Sequence, residues 1–381
     1  MKAPAKKPAA KKTRIGIDSI DSVLRDIRAG KPVIVVDDAD RENEGDLILA
    51  AEKATADNIN FLVTYGRGMV CAPITQDRAA KLGLNRMVLD NRESFKTDFT
   101  VTVDAAHGVT TGISAEDRAK TIRLLANPKS VPGDLVQPGH IFPLMAEPGG
   151  VLRRAGHTEA ACDFARLAGC EPVGVICEIM NDDGTMARRP DLEKFAELHG
   201  IKIGTIADLI HYRMVNEQTV QRVSEQVLPT EFGDFRMIVY REHAGSLLHI
   251  AVVQGELSPD KLATVRVHVL NPLRDMLHAK FKGRVGWNLQ KSLQEIAGSD
   301  SGVLVLLGRE IDSAELEQHL ADFNAQRPRA ADGAGMYRNI GTGSQILRDL
   351  GVRKMRLLSS PMRFNALSGF GLEIVEYVTT D

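Results

Sequence analysis

In the first half of the chain, apolar residues recur every three or four positions in several stretches, a pattern that predicts amphipathic helices. The first predicted helix takes Asp18 or Ser19 as its N-cap and ends at Gly30 and Pro32. Later stretches of the same kind begin with a polar cap and close with a glycine or an Asn-Pro pair. They cover residues 114–126, 158–169 and 191–200.

Continuous apolar runs between these stretches predict buried strands. Residues 31–36 and 46–51 form two such runs, on either side of an acidic loop at 37–45, and residues 171–180 form a third. Because predicted helices alternate with predicted strands, the fold class expected for the first half is α/β, with helices and a sheet in layers.

The second half also contains strand-like runs, at 237–242, 247–253 and 302–307, and a predicted helix at 343–351. Residues 213–227 are polar and lack apolar periodicity, which predicts a linker or an exposed helix at a domain boundary. The predicted organisation is a basic tail at 1–14, a first domain at 15–212, the linker at 213–227 and a second, α+β domain at 228–381.

The composition is typical of a globular protein: 43% of the 381 residues are hydrophobic, 26% are charged, and the net charge is −2. No apolar run is long enough to predict a membrane span, and no basic field predicts a nucleic-acid partner. Residues 1–14 carry six positive charges but lack the apolar core of a secretory signal. They are predicted to be a disordered, solubilising tail, with contact to an anion as the alternative.

The four cysteines are Cys71, Cys162, Cys170 and Cys177, and their spacing matches neither a disulfide framework nor a paired zinc motif. This pattern predicts reduced thiols in a cytoplasmic protein. No cysteine follows residue 177, so the second half has no thiolate with which to bind a metal.

Residues 37–46 contain six carboxylates and one arginine, a net charge of −5 on a short turn between two predicted strands. Mutual repulsion makes such a turn unfavourable unless water solvates the charges or a cation neutralises them. Carboxylate oxygens are the ligands that Mg²⁺ and Mn²⁺ prefer, whereas the spacing does not match the EF-hand motif for calcium. Taken alone, the loop leaves a solvated turn and a metal site as alternatives.

A second candidate site is the sequence GVLRRAGHTEAAC. Arg153, Arg154 and His157 precede or open a helix for which Thr158 is the predicted cap. A helix N-terminus offers unpaired N–H groups and a positive dipole end, so that an added guanidinium makes a phosphate cradle. Gly156 permits close backbone approach there. The alternative is an ordinary helix cap with solvated arginines.

Two acid–base candidates complete the first domain. Glu178 is a carboxylate within an apolar strand, where burial costs free energy unless the group is paired or its pKa rises. Such a group suits general acid–base work, and an edge-strand glutamate that faces solvent is the alternative. His140 follows a Pro-Gly turn and is either catalytic or structural.

Five motifs follow one another in the first domain: DDADRENEGDLI, TTGISAEDRAKTI, PGHIFPL, GGVLRRAGHTEA and VICEIMNDDG. In this order they resemble 3,4-dihydroxy-2-butanone 4-phosphate synthase, a lyase of riboflavin biosynthesis, and the resemblance extends from about Ile15 to Tyr212. It implies conversion of D-ribulose 5-phosphate to the dihydroxybutanone phosphate and formate. It also implies two Mg²⁺ or Mn²⁺ ions per site, and a homodimer with its active site near the subunit boundary.

The same resemblance implies roles for individual residues. Glu42 and His157 would be the protein ligands of the metal ions, and His140 and Glu178 the groups that transfer protons. Contacts with the substrate are implied for Arg41 and Asp46 at the sugar hydroxyls, and for Arg154, Gly156, His157 and Thr158 in the phosphate cradle.

The resemblance is not complete. Ala39 stands where an acidic residue is usual in the family, and MAEP at 145–148 replaces a more basic segment. Neither departure removes a residue with an implied role. Because the resemblance assigns the acidic loop to a metal site, solvation by water remains the expectation only for the side chains of Asp37 and Glu44.

The second half carries LPTEFGDFRMIVYRE, VRVHV, GTGSQILRDLGVRKMRLLSS and GFGLEIVEYV, which resemble GTP cyclohydrolase II from about Leu228 to Val378. That family holds zinc with three cysteines placed after the VRVH strand, and this sequence has none there. GREIDSAELE at 308–317 also replaces the family's Gln-Glu-Gly-Arg-Gly loop.

The second domain is therefore predicted to share the cyclohydrolase fold without zinc chemistry, and to serve stability, oligomerisation or regulation. One alternative is a second active site with an atypical metal site, for which His249, His268 and His278 are available. Another is an interaction module for a separate cyclohydrolase. The expected small-molecule partner is a sugar phosphate, and no nucleic acid, membrane or zinc is expected.

Overall fold

The computed structural model describes residues 16–39, 41–243, 247–280, 286–309, 333–360 and 370–380, together with 317, 320–321 and 323–324. The chain divides into two compact units. The first comprises the chain up to Ala146 and Gly156–Ile206, and the second comprises Glu147–Ala155 and the chain from Ala207 onward. The tail predicted at 1–14 and most of the segment at 308–317 lie outside the described residues.

The first unit alternates helices and strands, as the sequence pattern predicts. Its helices are α1 (Ile20–Arg28), α2 (Ala56–Phe61), α3 (Gln76–Lys81), α4 (Ala115–Ala126), α5 (His157–Leu167) and α6 (Arg189–His199). Its strands are β1 (Val33–Val36), β2 (Gly45–Ala50), β3 (Cys71–Thr75), β4 (Asp98–Phe99), β5 (Val103–Ala105), β6 (Leu135–Ala146), β7 (Gly174–Glu178) and β8 (Ile203–Thr205).

These strands form one sheet in the order β4-β6-β3-β7-β2-β1-β8, with β5 paired to β6. Every residue of β1 and β2 is buried, because helices cover both faces. On one face Leu47 packs in a core with Ile59 of α2 and Ile122 of α4. Helix α5 also packs against the sheet, and α1 contacts α5. Alternate residues of a strand point to opposite faces. Asp46 and its neighbour Glu178 therefore lie on the face opposite Leu47.

The helix boundaries follow the predicted caps in α1 and α4 but not in α5 and α6. The N-cap of α6 is Arg188, so the prediction that this helix begins at Asp191 is wrong. Ser19 caps α1 and Ser114 caps α4, each by accepting a backbone N–H in the first turn. In α5 the first helical hydrogen bond runs from the N–H of Ala160 to the carbonyl of Gly156, at 2.9 Å. Gly156 is thus the N-cap and Thr158 lies in the first turn, so the prediction that Thr158 caps this helix is wrong. The extended backbone of Gly156 starts the helix without a capping side chain.

The second unit is also mixed α/β. Its helices are α7 (Ile206–Asn216), α8 (Pro272–Asp275), α9 (Leu289–Ala297) and α10 (Gly333–Asp349). Its strands are β9 (Val220–Thr230), β10 (Gly233–Glu242), β11 (Leu248–Gly255), β12 (Leu262–Val269), β13 (Ser301–Leu307), β14 (Lys354–Leu358) and β15 (Glu373–Val378). They form one sheet in the order β15-β14-β12-β13-β11-β10-β9. Among the described residues, no helix combines the length and apolarity needed to cross a membrane.

The segment at 213–227 is not a linker or an exposed helix. It contains the end of α7 and most of β9, which pairs antiparallel with β10. The sequence pattern fails here because β9 is the edge of its sheet and is exposed at most positions, so that no apolar alternation marks it. The helix predicted at 343–351 begins earlier, at Gly333.

A buried ion network in the second unit joins the end of β12 to the start of α9. The Asp275 carboxylate accepts hydrogen bonds from His268 (3.0 Å), Arg274 (3.1 Å) and the backbone N–H groups of Asn271 (2.7 Å) and Leu289 (3.1 Å). Burial alone would raise the pKa of Asp275. The bonds from His268, Arg274 and Asn271 outweigh that effect and hold the pKa well below its usual range.

Replacing Asp275 by asparagine is expected to lower the free energy of unfolding of the second unit by about 3–5 kcal/mol at neutral pH, because His268 and Arg274 lose a buried anion. The folded pKa lies below the ordinary value of about 3.9. The stabilisation is therefore complete above that pH and is lost as the pH falls toward the folded pKa. Urea unfolding at neutral pH and near pH 3 measures the effect. An equal loss in Asp300→Asn, an exposed carboxylate, would contradict the assignment.

Candidate metal and proton-transfer site

The acidic loop joins β1 to β2 and is shaped by Asp37. The Asp37 side chain is fully buried. Its Oδ1 accepts the N–H of Glu44 at 2.8 Å, and its Oδ2 accepts the N–H of Glu42 at 3.0 Å and the Arg41 guanidinium at 3.0 Å. The prediction that water solvates Asp37 is wrong, because N–H groups of the loop itself donate hydrogen bonds to this carboxylate.

Arg41 and Glu42 lie side by side on this loop. Arg41 donates to Glu42 Oε2 at 2.7 Å, and its guanidinium lies over the Phe95 ring, 5.2 Å from the centroid. Burial alone would raise the pKa of Glu42. Its interactions with His157 and Arg41 outweigh burial and lower the pKa, so Glu42 is ionised at neutral pH.

His157, the first residue of α5, turns one ring nitrogen toward these carboxylates. Its Nε2 lies 3.0 Å from the carbonyl oxygen of Val35, which can only accept, so Nε2 carries the proton. In the neutral ring Nδ1 then has a lone pair. It lies 3.7 Å from Glu42 Oε2 and 3.9 Å from Asp46 Oδ1. Two ligand atoms at adjacent positions of one octahedral Mg²⁺ ion, each about 2.1 Å from it, are about 3 Å apart, somewhat closer than these atoms are.

Asp46 contributes a buried oxygen that still lacks a donor. The residue is 3% exposed, and its Oδ1 accepts no hydrogen bond from any part of the chain that the structure describes. Burial raises the pKa of Asp46 to about 7. Burial alone would lower the pKa of His157, but Asp46 and Glu42 raise it to about 9. A divalent cation or a substrate hydroxyl would satisfy this oxygen, so these residues fit a metal and sugar site.

Glu178 ends β7, directly opposite Asp46 in the antiparallel β2–β7 pair. β7 lies between β3 and β2 in the interior of the sheet, which excludes the edge-strand alternative. Glu178 Oε2 accepts the backbone N–H of Met69 at 2.8 Å. Close approach there depends on Gly68, because a Cβ at that position would lie 2.5 Å from both Glu178 Oε2 and the Glu178 carbonyl oxygen.

Replacing Gly68 by alanine is therefore expected to lower the free energy of unfolding by about 1–3 kcal/mol, the usual range for overpacking. It should also lower kcat, since the added methyl group displaces Glu178. Gly133→Ala is the matched control, because no atom lies within 4 Å of its added Cβ. Urea unfolding and steady-state kinetics measure both effects. Unchanged values in both variants would show that Gly68 does not constrain Glu178.

His140 is held by Asp104, a carboxylate that is not among the residues predicted for the site. Asp104 Oδ2 lies 2.7 Å from His140 Nδ1, and Asp104 Oδ1 accepts the His140 backbone N–H at 2.9 Å. Asp104 is 7% exposed. A carboxylate within the apolar run VTVDAA is the same kind of sequence feature that identified Glu178, and it could have identified Asp104.

The sheet register locates His140 relative to Glu178. Phe142 of β6 pairs with Cys71 of β3, and Cys71 pairs with Ile176 of β7. His140 and Glu178 each lie two residues from these paired positions, on strands that β3 separates. The structure thus brings Asp37, Glu42 and His157 close together, with Asp46 beside His157 and Glu178 opposite Asp46. His140 lies on β6, which is not adjacent to the strand of Glu178.

The other predicted substrate residues divide between the two units. Gly156, His157 and Thr158 form the N-terminal end of α5 in the first unit, and the last two are 5% and 4% exposed. Arg154 belongs to Glu147–Ala155, the segment that is part of the second unit.

Comparisons with known families also divide the chain into two parts, but they include Glu147–Ala155 in the first part. Residues 21–212 match the family model of 3,4-dihydroxy-2-butanone 4-phosphate synthase, and residues 221–379 match that of GTP cyclohydrolase II. A Pseudomonas aeruginosa protein named 3,4-dihydroxy-2-butanone 4-phosphate synthase is 54% identical, over 96% of this chain and 100% of its own length.

Two solved structures are also similar. A two-domain 3,4-dihydroxy-2-butanone 4-phosphate synthase from A. baumannii has a TM-score of 0.84 and 50% identity, and the match covers 96% of this chain and 100% of that one. A 3,4-dihydroxy-2-butanone 4-phosphate synthase in complex with two magnesium ions has a TM-score of 0.51 and 42% identity, over 52% of this chain and 98% of that one.

Fold, site and comparisons define an enzyme of riboflavin biosynthesis with a cyclohydrolase-type second domain. The chain belongs to the 3,4-dihydroxy-2-butanone 4-phosphate synthase family. The predicted fold class and the predicted enzyme activity are both confirmed.

Proposed function

We propose that the first unit converts D-ribulose 5-phosphate to 3,4-dihydroxy-2-butanone 4-phosphate and formate, with two Mg²⁺ ions, for which Mn²⁺ can substitute. One observation carries this proposal: His157 Nδ1 lies within 4 Å of Glu42 and Asp46, and Asp46 Oδ1 has no donor among the described residues. Glu42 and His157 are the proposed protein ligands of the metal. The ions would polarise the substrate carbonyl and stabilise negative charge next to it.

The residues around this cluster orient the sugar. Arg41 and Asp46 are proposed to contact its hydroxyl groups, and the buried Asp46 oxygen gains a donor when a hydroxyl binds. The phosphate is proposed to lie at the N-terminus of α5, against Gly156 and Thr158, with Arg154 as its cation. Anchoring the phosphate, which does not react, orients the carbon atoms that do.

Glu178 and His140 are proposed to move the protons. The reaction needs a proton removed beside a carbonyl, loss of water, a shift of the carbon skeleton and expulsion of formate. The five carbons of the substrate become the four carbons of the product and the one of formate. Substrate and products balance without a net change in water, so the water that is lost must be added back before formate leaves. Several proton transfers are therefore required, and Glu178 and His140 are two groups able to make them. Asp104 orients His140 by holding its Nδ1.

We propose that the second unit performs no zinc chemistry. Catalytic zinc needs three protein ligands and an open position. The three available histidines have other partners: His268 bonds Asp275, Gly308 donates its N–H to His249, and His278 bonds Asn288. With no cysteine in this half, these residues do not fit a catalytic zinc site.

Formate release tests both proposals, because both chemistries liberate formate. Purified protein is expected to release formate from D-ribulose 5-phosphate with Mg²⁺, and a chelator should abolish the release. It is expected to release none from GTP with Zn²⁺. Formate from GTP would overturn the proposal for the second unit, and no formate from the sugar phosphate would overturn the proposal for the first.

We further propose that the protein is a cytoplasmic homodimer. All four cysteines are free thiols in the structure, which suits a reducing compartment. The oligomeric state follows from the family resemblance, and sedimentation of the purified protein measures it. A monomer at concentrations that support full activity would contradict the homodimer.

A further inference from the structure

Glu178 lies against residues 66–69, which connect α2 to β3 within the first unit. A π-helical turn, Leu62–Gly66, precedes them, and the N–H of Arg67 closes this turn on the carbonyl oxygen of Leu62 at 3.2 Å. Single π-helical turns are frequent at functional sites. Arg67 then adopts left-handed backbone (φ 67°), which residues other than glycine rarely do.

The backbone after this turn runs antiparallel to the end of β7. Arg67 forms an isolated β-bridge with Ile179. Two residues after Arg67, the N–H of Met69 donates to the Glu178 carboxylate at 2.8 Å. The hydrogen bond to this carboxylate therefore depends on how residues 66–69 are held against β7.

The Arg67 side chain connects the turn to the residues after β7. Its Nη1 donates to the carbonyl oxygen of Tyr65 (3.3 Å), within the turn, and to that of Met180 (3.1 Å), two residues after Glu178. Its Nη2 pairs with the Asp182 carboxylate at 2.5 Å. The Asp182 side chain is 92% exposed, so this ion pair contributes little. The two bonds to backbone carbonyl groups are the ones that hold the turn in place.

We propose that Arg67 is a positioning residue for Glu178: its guanidinium keeps the Met69 N–H on the Glu178 carboxylate. The inference rests on the proposed function, because the orientation of Glu178 matters only if this group transfers protons. Arg67 acts through the backbone that it holds rather than on the substrate. Every residue involved belongs to the first unit.

The effect of losing Arg67 should appear in kcat. A displaced acid–base group transfers protons less well after the substrate has bound, whereas the contacts that bind the substrate stay intact. The loss of one charge-assisted hydrogen bond corresponds to about a tenfold change in rate. Arg67→Met is therefore expected to lower kcat about tenfold, with KM for D-ribulose 5-phosphate nearly unchanged.

The test compares Arg67→Met with Arg123→Met in the full chain. Arg123 is a matched control in the first unit: its side chain is 40% exposed, against 39% for Arg67, and it also donates to a backbone carbonyl, that of Ala54 (2.7 Å). Steady-state formate release gives kcat and KM. Hydrogen–deuterium exchange with mass spectrometry reports the opening of residues 66–69 without turnover. Arg67→Met should speed this exchange, and Arg123→Met should change neither kcat nor the exchange.

Two further variants separate the guanidinium from the backbone turn. Arg67→Lys retains a donor and should recover part of the lost kcat. Glycine suits left-handed backbone but has no side-chain donor, so Arg67→Gly should lose kcat as Arg67→Met does. Arg67→Gly also carries the test if the methionine variant does not fold. Wild-type kcat in Arg67→Gly would overturn the inference, because the turn alone would then position Glu178.

The inference is also overturned if Arg67→Met keeps the wild-type kcat, or if Arg123→Met lowers kcat equally. Wild-type protein that releases no formate from the sugar phosphate would instead overturn the proposed function itself. Hydrogen exchange would still show in that case whether Arg67 holds residues 66–69, so the two failures can be told apart.

Discussion

Replacing Glu178 by glutamine is expected to lower kcat for formate release by about 10²–10⁴-fold, the usual contribution of a general acid–base group. Glutamine keeps the length of the side chain, and its amide oxygen can still accept the Met69 N–H that now lies 2.8 Å from Glu178 Oε2. It cannot take up a proton at neutral pH. The fold should therefore survive while proton transfer stops, and Glu178→Ala should lose turnover as well.

Formate release at saturating D-ribulose 5-phosphate and Mg²⁺ measures this loss, and thermal unfolding measures the fold. Glu193→Gln is the control, because this glutamate lies on α6 and pairs with Arg189 at 2.9 Å, away from any residue with a proposed role. It should retain wild-type kcat. Near-wild-type turnover in Glu178→Gln would remove Glu178 from the mechanism.

Replacing Glu42 by glutamine is expected to weaken Mg²⁺ binding by at least about 100-fold. Loss of a group that only orients a metal ligand already costs about 10–100-fold in affinity, and Glu42 is proposed as a ligand itself. Formate release should disappear at Mg²⁺ concentrations that saturate the wild type, and reappear in part at much higher concentrations. Titration with Mn²⁺, followed by electron paramagnetic resonance, measures binding without turnover.

Asp38→Asn is the matched control for Glu42→Gln. It removes the same charge from the same loop, at an exposed position. If the loop acts through its total charge, both variants should lose affinity equally, which would contradict a specific ligand role for Glu42. If Glu42 is a ligand, Asp38→Asn should stay within a few-fold of wild type, because exposed charges interact weakly through water.

Local sequence features predicted much of the first unit. The cap and apolar spacing of α1, and the two buried strands around the acidic loop, all lie between Ser19 and Ala50. Short-range geometry fixes such elements, so their pattern is visible in the sequence. The carboxylate Glu178 could be selected in the same way, because a charge within an apolar strand stands out.

Contacts between distant residues could not be predicted in this way. The proton on His157 Nε2 is assigned by the carbonyl of Val35, which is 122 residues away in sequence. The pairing of Asp46 with Glu178 depends on the order of strands in the sheet. The role of Asp37 as a buried hydrogen-bond acceptor could not be predicted either. A run of carboxylates has the same sequence whether backbone N–H groups or water molecules donate to it.

The second unit is discontinuous along the chain, and this has a consequence for how such a protein can change over time. No single stop codon or cut separates the two units, because Glu147–Ala155 precedes α5 and the rest of the second unit follows it. A truncation near residue 206 would leave these nine residues without Arg213 and Arg338, which donate to their carbonyl oxygens. In a gene of this kind, a truncation that removes the second half also removes the hydrogen-bond partners of a segment encoded within the first half.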